Sequence, residues 1–165
     1  MTKKLLWLVV AVTAVALILP GTAPAKKLKI GVTQIVSHPA LDADQKGFEK
    51  ALQDAGLDVE YDYQNAQGDM SNAQAIARKF KGDDLDLVHC IATPTSQAIV
   101  KVITKTPVVY SSVTDPVDAG LVKTMDAAGG NVTGVSDAWP YDRQVQLHHE
   151  MVPSAKKWGT IYNAD

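Results

Sequence analysis

Cysteine is almost missing from this sequence: Cys90 is the only one in 165 residues. An internal disulfide is therefore excluded, and no cysteine lies near the N-terminus where a lipid-anchored exported protein would carry one. Basic excess is missing too, with 16 Lys and Arg against 18 Asp and Glu and a net charge of −2. That balance speaks against a nucleic-acid partner, which needs a basic footprint. No apolar run reaches the roughly 20 residues of a membrane helix. The sequence has no G-x-G-x-x-G after a strand, no Walker loop and no G-x-S-x-G elbow. Ser96, Ser111 and Ser136 have no evident histidine partner for nucleophilic work. His148 and His149 are adjacent, so a helix would turn them apart and deny them a shared metal. His38 with Asp42 is a thin pair that reads as ordinary surface. No cofactor is expected.

What remains is ordinary globular composition, 46% hydrophobic and 21% charged, enough for one domain with a core. The first 25 residues stand apart. Met1-Thr2-Lys3-Lys4 is basic, Leu5 to Leu19 is uncharged and apolar, and Ala23-Pro24-Ala25 has the small-x-small form of a cleavage site. Residues 1–25 therefore read as a secretory signal peptide. Without Lys3 and Lys4 the balance becomes 14 basic against 18 acidic residues, or −4. A periplasmic destination is the expectation, with Cys90 a small buried core residue.

The remainder alternates strand-like and helix-like stretches. Strands are expected at Leu28 to Val36, Val59 to Tyr63, Leu85 to Ile91, Pro107 to Tyr110, Asn131 to Val135 and Trp158 to Tyr162. Helices are expected from Pro39 to Ala55, from Met70 to Gly82 with Met70, Ala73, Ile76, Ala77 and Phe80 inward, and from Thr93 to Ile103. Two more are expected: a brief one from Asp115 to Val122, and one after Pro140 with Tyr141, Val145, His148 and Val152 on one side. Alternation of this kind predicts an α/β fold, a doubly wound parallel sheet between two helical layers.

In such a sheet ligands bind beyond the carboxyl ends of the strands. The turns expected there are Gln34 to His38, Asn65 to Gln67, Thr93 to Ser96, Ser111 to Asp115, and Ser136-Asp137. They are rich in hydroxyls and amides and hold no Lys or Arg, which disfavours phosphate. Thr93 is placed as the N-cap of one helix with Pro94 opening it, and Asp115-Pro116 repeats the arrangement. Two helix N-termini suit a carboxylate, and Asp115 or Asp137 suits an ammonium group. Together they describe an amino acid. Thr93 and Asp115 are equally what plain helix caps look like.

Lys29-Ile30-Gly31-Val32-Thr33-Gln34-Ile35-Val36 with His38-Pro39, then Ile91-Ala92-Thr93-Pro94-Thr95, Thr114-Asp115-Pro116, and Gly130-Asn131-Val132-Thr133-Gly134-Val135-Ser136-Asp137 resemble the ABC transporter substrate-binding proteins. The branch they resemble binds tryptophan, phenylalanine or related amino acids. The resemblance implies a type I periplasmic-binding-protein fold, two flavodoxin-like lobes with the ligand between them, and a permease partner in the inner membrane. It carries ligand contacts onto Thr93, Thr95, Thr114, Asp115, Ser136 and Asp137, and onto Gln34 and Ser37. It also implies that residues 26–155 form the first lobe and that 156–165 begin a second, most of which lies beyond this sequence. An exported α/β hydrolase and a shortened product without a ligand are the rival readings.

Overall fold

The computed structural model describes residues 26–161; the expected signal peptide at 1–25 and residues 162–165 lie outside the described residues. Five strands form one sheet: β1 Leu28–Gln34, β2 Val59–Asn65, β3 Leu87–Ile91, β4 Val108–Val113 and β5 Val132–Ser136. Their order is β2-β1-β3-β4-β5 and every pairing is parallel. Four helices accompany them: α1 Pro39–Asp54, α2 Met70–Gly82, α3 Thr93–Val100 and α4 Tyr141–Met151.

A buried parallel strand shows apolar residues to both sides, because helices cover both faces. Alternation along the strands therefore feeds two cores. Val88, Cys90, Val108, Tyr110 and Val132 face α2 and α3, where Phe80, Ile76 and Ile99 meet them. Ile30, Val32 and Ile91 face the other way, onto Leu41, Phe48 and Leu52 of α1. Three layers result, as the sequence predicts. Cys90 is fully buried, and loss of solvent pushes its thiol pKa up to about 12.

Glycine is required at one close approach. A Cβ at Gly134 would lie 2.1 Å from the Tyr110 carbonyl oxygen, so β5 can lie against β4 there only without a side chain.

Several expectations fail. β4 runs on through Ser111 and Ser112 to Val113, so those serines belong to the strand and not to the turn. Asp115 to Val122 is not a helix: Pro116 to Gly120 make turns, and Gly120 leaves them with φ +73°. Met70 opens α2 on its exposed side, at 44% exposure, where the first turn has not yet reached the sheet. No residue of α4 is buried, and Tyr141, Val145 and Val152 all face solvent. Trp158 to Ile161 form no strand, since no described strand lies beside them to share a hydrogen-bond ladder.

Candidate functional site

The strand order reverses between β1 and β3, and the carboxyl ends of these two strands and of β4 and β5 open onto one edge. This is the switch point at which open α/β sheets take ligands. Ala92 turns the chain there from β3 into α3 with φ +79° and ψ +155°, a region normally left to glycine. Among the described residues the other two non-glycine residues with positive φ, Gln67 and Ser112, follow β2 and lie near the end of β4. All three strained positions sit along the same edge.

Capping separates the helices. His38 Nδ1 accepts the Ala40 N–H at the start of α1. Asp69 accepts from Ser71 and Asn72 at the start of α2. At α3 the N-cap is Ala92, not Thr93, and no side chain caps the first turn. Its amides and the positive end of its dipole are left for something else.

The predicted residues divide on this geometry. Thr93 opens α3 half-buried, and Thr114 is exposed; neither hydroxyl has a hydrogen-bond partner among the described residues. Gln34 is 7% exposed, donates its amide to Asp42 at 3.0 Å, and holds its carbonyl oxygen buried without a partner. Asp137 is exposed at the end of β5 and tied by its backbone N–H to the Val113 carbonyl. These four are brought to one edge, where Thr93, Thr114 and Asp137 leave polar groups free while the Gln34 carbonyl oxygen is closed off from solvent.

Thr95 is a correction. It is 1% exposed and its hydroxyl donates to the Ile91 and Ala92 carbonyls at 2.6 and 3.1 Å, so it braces the turn from inside. Ser96 does the same with Ala92 at 2.8 Å, so the hydroxyls expected to face outward point inward. Asp115 accepts the Val117 and Asp118 N–H groups at 3.0 and 2.9 Å, which makes it a cap. By the same bonds it occupies the amides expected to receive a carboxylate at Pro116. Ser136 is engaged as well, donating to the Thr114 carbonyl at 2.8 Å and accepting from Ala138. Ser37 lies to the β2 side, where its hydroxyl accepts from Asn65 at 3.0 Å.

Two residues that the sequence reading passed over complete the edge. Asp44, on α1, accepts the Ser112 hydroxyl at 2.7 Å across 68 positions of sequence. His89, inside the apolar run of β3, stacks on Phe48 at 4.1 Å and places Nε2 2.8 Å from the Ser111 hydroxyl. Burial holds its pKa down at about 4. A cavity of about 380 Å³ runs between α1 and β5 over these side chains. A second cavity, about 420 Å³, lies at the opposite, amino-terminal edge of the sheet. Three of its charged groups are paired there, Lys79 with Asp62 and Asp83.

The family model for ABC transporter substrate binding proteins matches residues 29–165. A tyrosine-binding protein of Clostridioides difficile is 45% identical over 146 residues, which are 86% of this chain and 42% of that protein. A crystal structure of a conserved domain protein from Vibrio cholerae superposes with a TM-score of 0.75 at 44% identity, over 78% of this chain and 45% of the other. A Streptococcus pneumoniae protein solved in complex with L-Trp gives a TM-score of 0.73 at 40% identity, over 78% and 44%. The chain spans less than half the length of these relatives. It belongs to the ABC transporter substrate-binding protein family.

Proposed function

We propose that this member of the family is a periplasmic solute-binding component of an ABC importer, with residues 26–155 as its first lobe and 156–165 opening a second. It captures an amino acid, aromatic by analogy with the relatives that bind tyrosine and L-Trp, and passes it to an inner-membrane permease. It performs no covalent chemistry.

The observation that carries this reading is the uncapped start of α3. A helix N-terminus without a side-chain cap, reached through a strained non-glycine turn at the switch point, is a receptor for a carboxylate. The Thr93 hydroxyl stands beside it, and Asp137 supplies an acceptor for an ammonium group. No Lys or Arg stands among the turn residues gathered at this edge, so a second anionic group on the ligand would find no partner.

Isothermal titration of the full chain with each common amino acid tests the proposal. The expected outcome is saturable binding of tyrosine, tryptophan or phenylalanine, and at least tenfold weaker binding of aspartate and glutamate. Heatless titrations across the whole set, from a protein that melts cooperatively, would reject it.

A further inference from the structure

We infer that the outer face of α2 and α3 is a docking surface for an anionic phospholipid bilayer. This goes beyond the ligand reading and involves neither the amino acid nor the edge that receives it.

Charge is unevenly distributed over this chain. The net charge is −2, yet residues 70–82 and 93–114 contain no Asp or Glu while carrying Arg78, Lys79, Lys81, Lys101 and Lys105. α2 and α3 pack against each other, which joins the two stretches. Lys79 turns away to Asp62 and Asp83. The other four are exposed, and among the described residues none of them enters an ion pair. The acids that flank α2 in sequence are already engaged, Asp69 as its cap and Asp83 with Lys79.

The four free cations adjoin one another. Arg78 and Lys101 line one groove of about 280 Å³, and Lys81 and Lys105 line a second of about 350 Å³. Val102 is common to both, so the grooves form one surface. Helix dipoles account for Lys81 and Lys101, which stand at the carboxyl ends of α2 and α3. They do not account for Arg78 and Lys105, nor for the missing acids. The opposite helical layer is composed differently, since α1 mixes Lys46 and Lys50 with Asp42, Asp44, Glu49 and Asp54.

Each Lys or Arg near an anionic leaflet adds a similar increment of attraction. Four on one face draw that face to the surface although the molecule as a whole is negative. The buried members of the two groove linings are Ala98 and Ile103, which offer no polar side chain to fix a single ligand. Exposed, unpaired and flexible cations suit a mobile layer of headgroup phosphates better than one shaped partner.

Co-sedimentation of the full chain with two kinds of vesicle tests the inference: phosphatidylcholine alone, and equal parts phosphatidylcholine and phosphatidylglycerol. The neutral vesicles set the baseline for any binding by the apolar residues 5–19. Binding to the anionic vesicles should exceed that baseline and fall at least tenfold as ionic strength rises from about 0.01 M to about 0.15 M. The double variant Arg78→Gln with Lys101→Gln should bind them at least tenfold more weakly than the wild type. Lys46→Gln with Lys50→Gln removes the same charge from α1 and should bind as the wild type does. Equal binding to both vesicles, or equal weakening by both double variants, would overturn the inference. So would a wild type that ignores anionic vesicles but binds poly-L-glutamate through Arg78 and Lys101, which would make the partner an acidic protein segment.

Discussion

His89 sits in the middle of β3 where a small apolar residue would be expected, stacked on Phe48 and bonded to the Ser111 hydroxyl. Burial lowers its pKa to about 4, even though the Asp44 and Glu49 carboxylates pull it upward. An unfolded histidine titrates near 6.5. The unfolded state therefore binds the proton more readily, so the neutral ring's contribution is complete above about pH 6.5 and is lost as pH falls toward 4. The gap corresponds to about 3 kcal/mol. Urea midpoints measured between pH 7 and pH 4 should fall less steeply in His89→Leu than in the wild type. Parallel slopes would mean that His89 is not the titrating group. Asp62 and Asp86, both held below the ordinary 3.8, lose their contribution only as pH falls beneath that value, below the range of this comparison.

At the scale of elements, the β4–β5 pairing depends on the bare backbone of Gly134. An added methyl would meet the Tyr110 carbonyl, which is itself locked in the strand and cannot withdraw. Gly134→Ala should cost about 3 kcal/mol or more, at the upper end of overpacking effects. A urea midpoint within error of the wild type would show that β5 can shift without loss. The five strands and their order of appearance were legible because four are short apolar runs closed by turn residues and β2 alternates apolar with polar, and α1, α2 and α3 followed from their stripes. The rest depended on non-local facts. Ser111 and Ser112 look like turn residues, yet the irregular register between Tyr110 and Val113 carries them as strand. Asp115-Pro116 begins like a helix, but its own carboxylate takes the first amides and Gly120 leaves the turn. For the site, Thr93, Gln34 and Asp137 were readable as polar residues after strands. Asp44 was not, since only the folded sheet brings it to Ser112. Thr95 was misread because a hydroxyl's direction is set by the turn's carbonyls, which a sequence does not display.

At the scale of the whole molecule, the sheet's two faces are unequally covered. α2, α3 and the segment carrying Leu121 and Val122 close one face, while α1 alone covers the other, over β1 and β3. Toward β5 that second face stays open: Val135 is 70% exposed, and Trp139 just beyond the strand is 61% exposed. α4 adds Val145 and Met151 to the exposed apolar surface. Parallel sheets are stable when both faces are buried, and contiguous apolar patches drive association. The described chain should therefore self-associate reversibly as its concentration rises. Val135→Glu should reduce that association, because a buried unpaired carboxylate at the contact is costly. Its effect on the fold should be small, within about 0.5 kcal/mol, since Val135 loses little solvent in the monomer. Sedimentation velocity across a concentration series, with urea melts of both proteins alongside, separates the two effects. A wild type that stays monomeric throughout would show that the open face is too small or too polar at its rim to hold a second molecule. Association that persists unchanged in Val135→Glu would move the contact elsewhere, with the exposed stripe of α4 the next surface to alter.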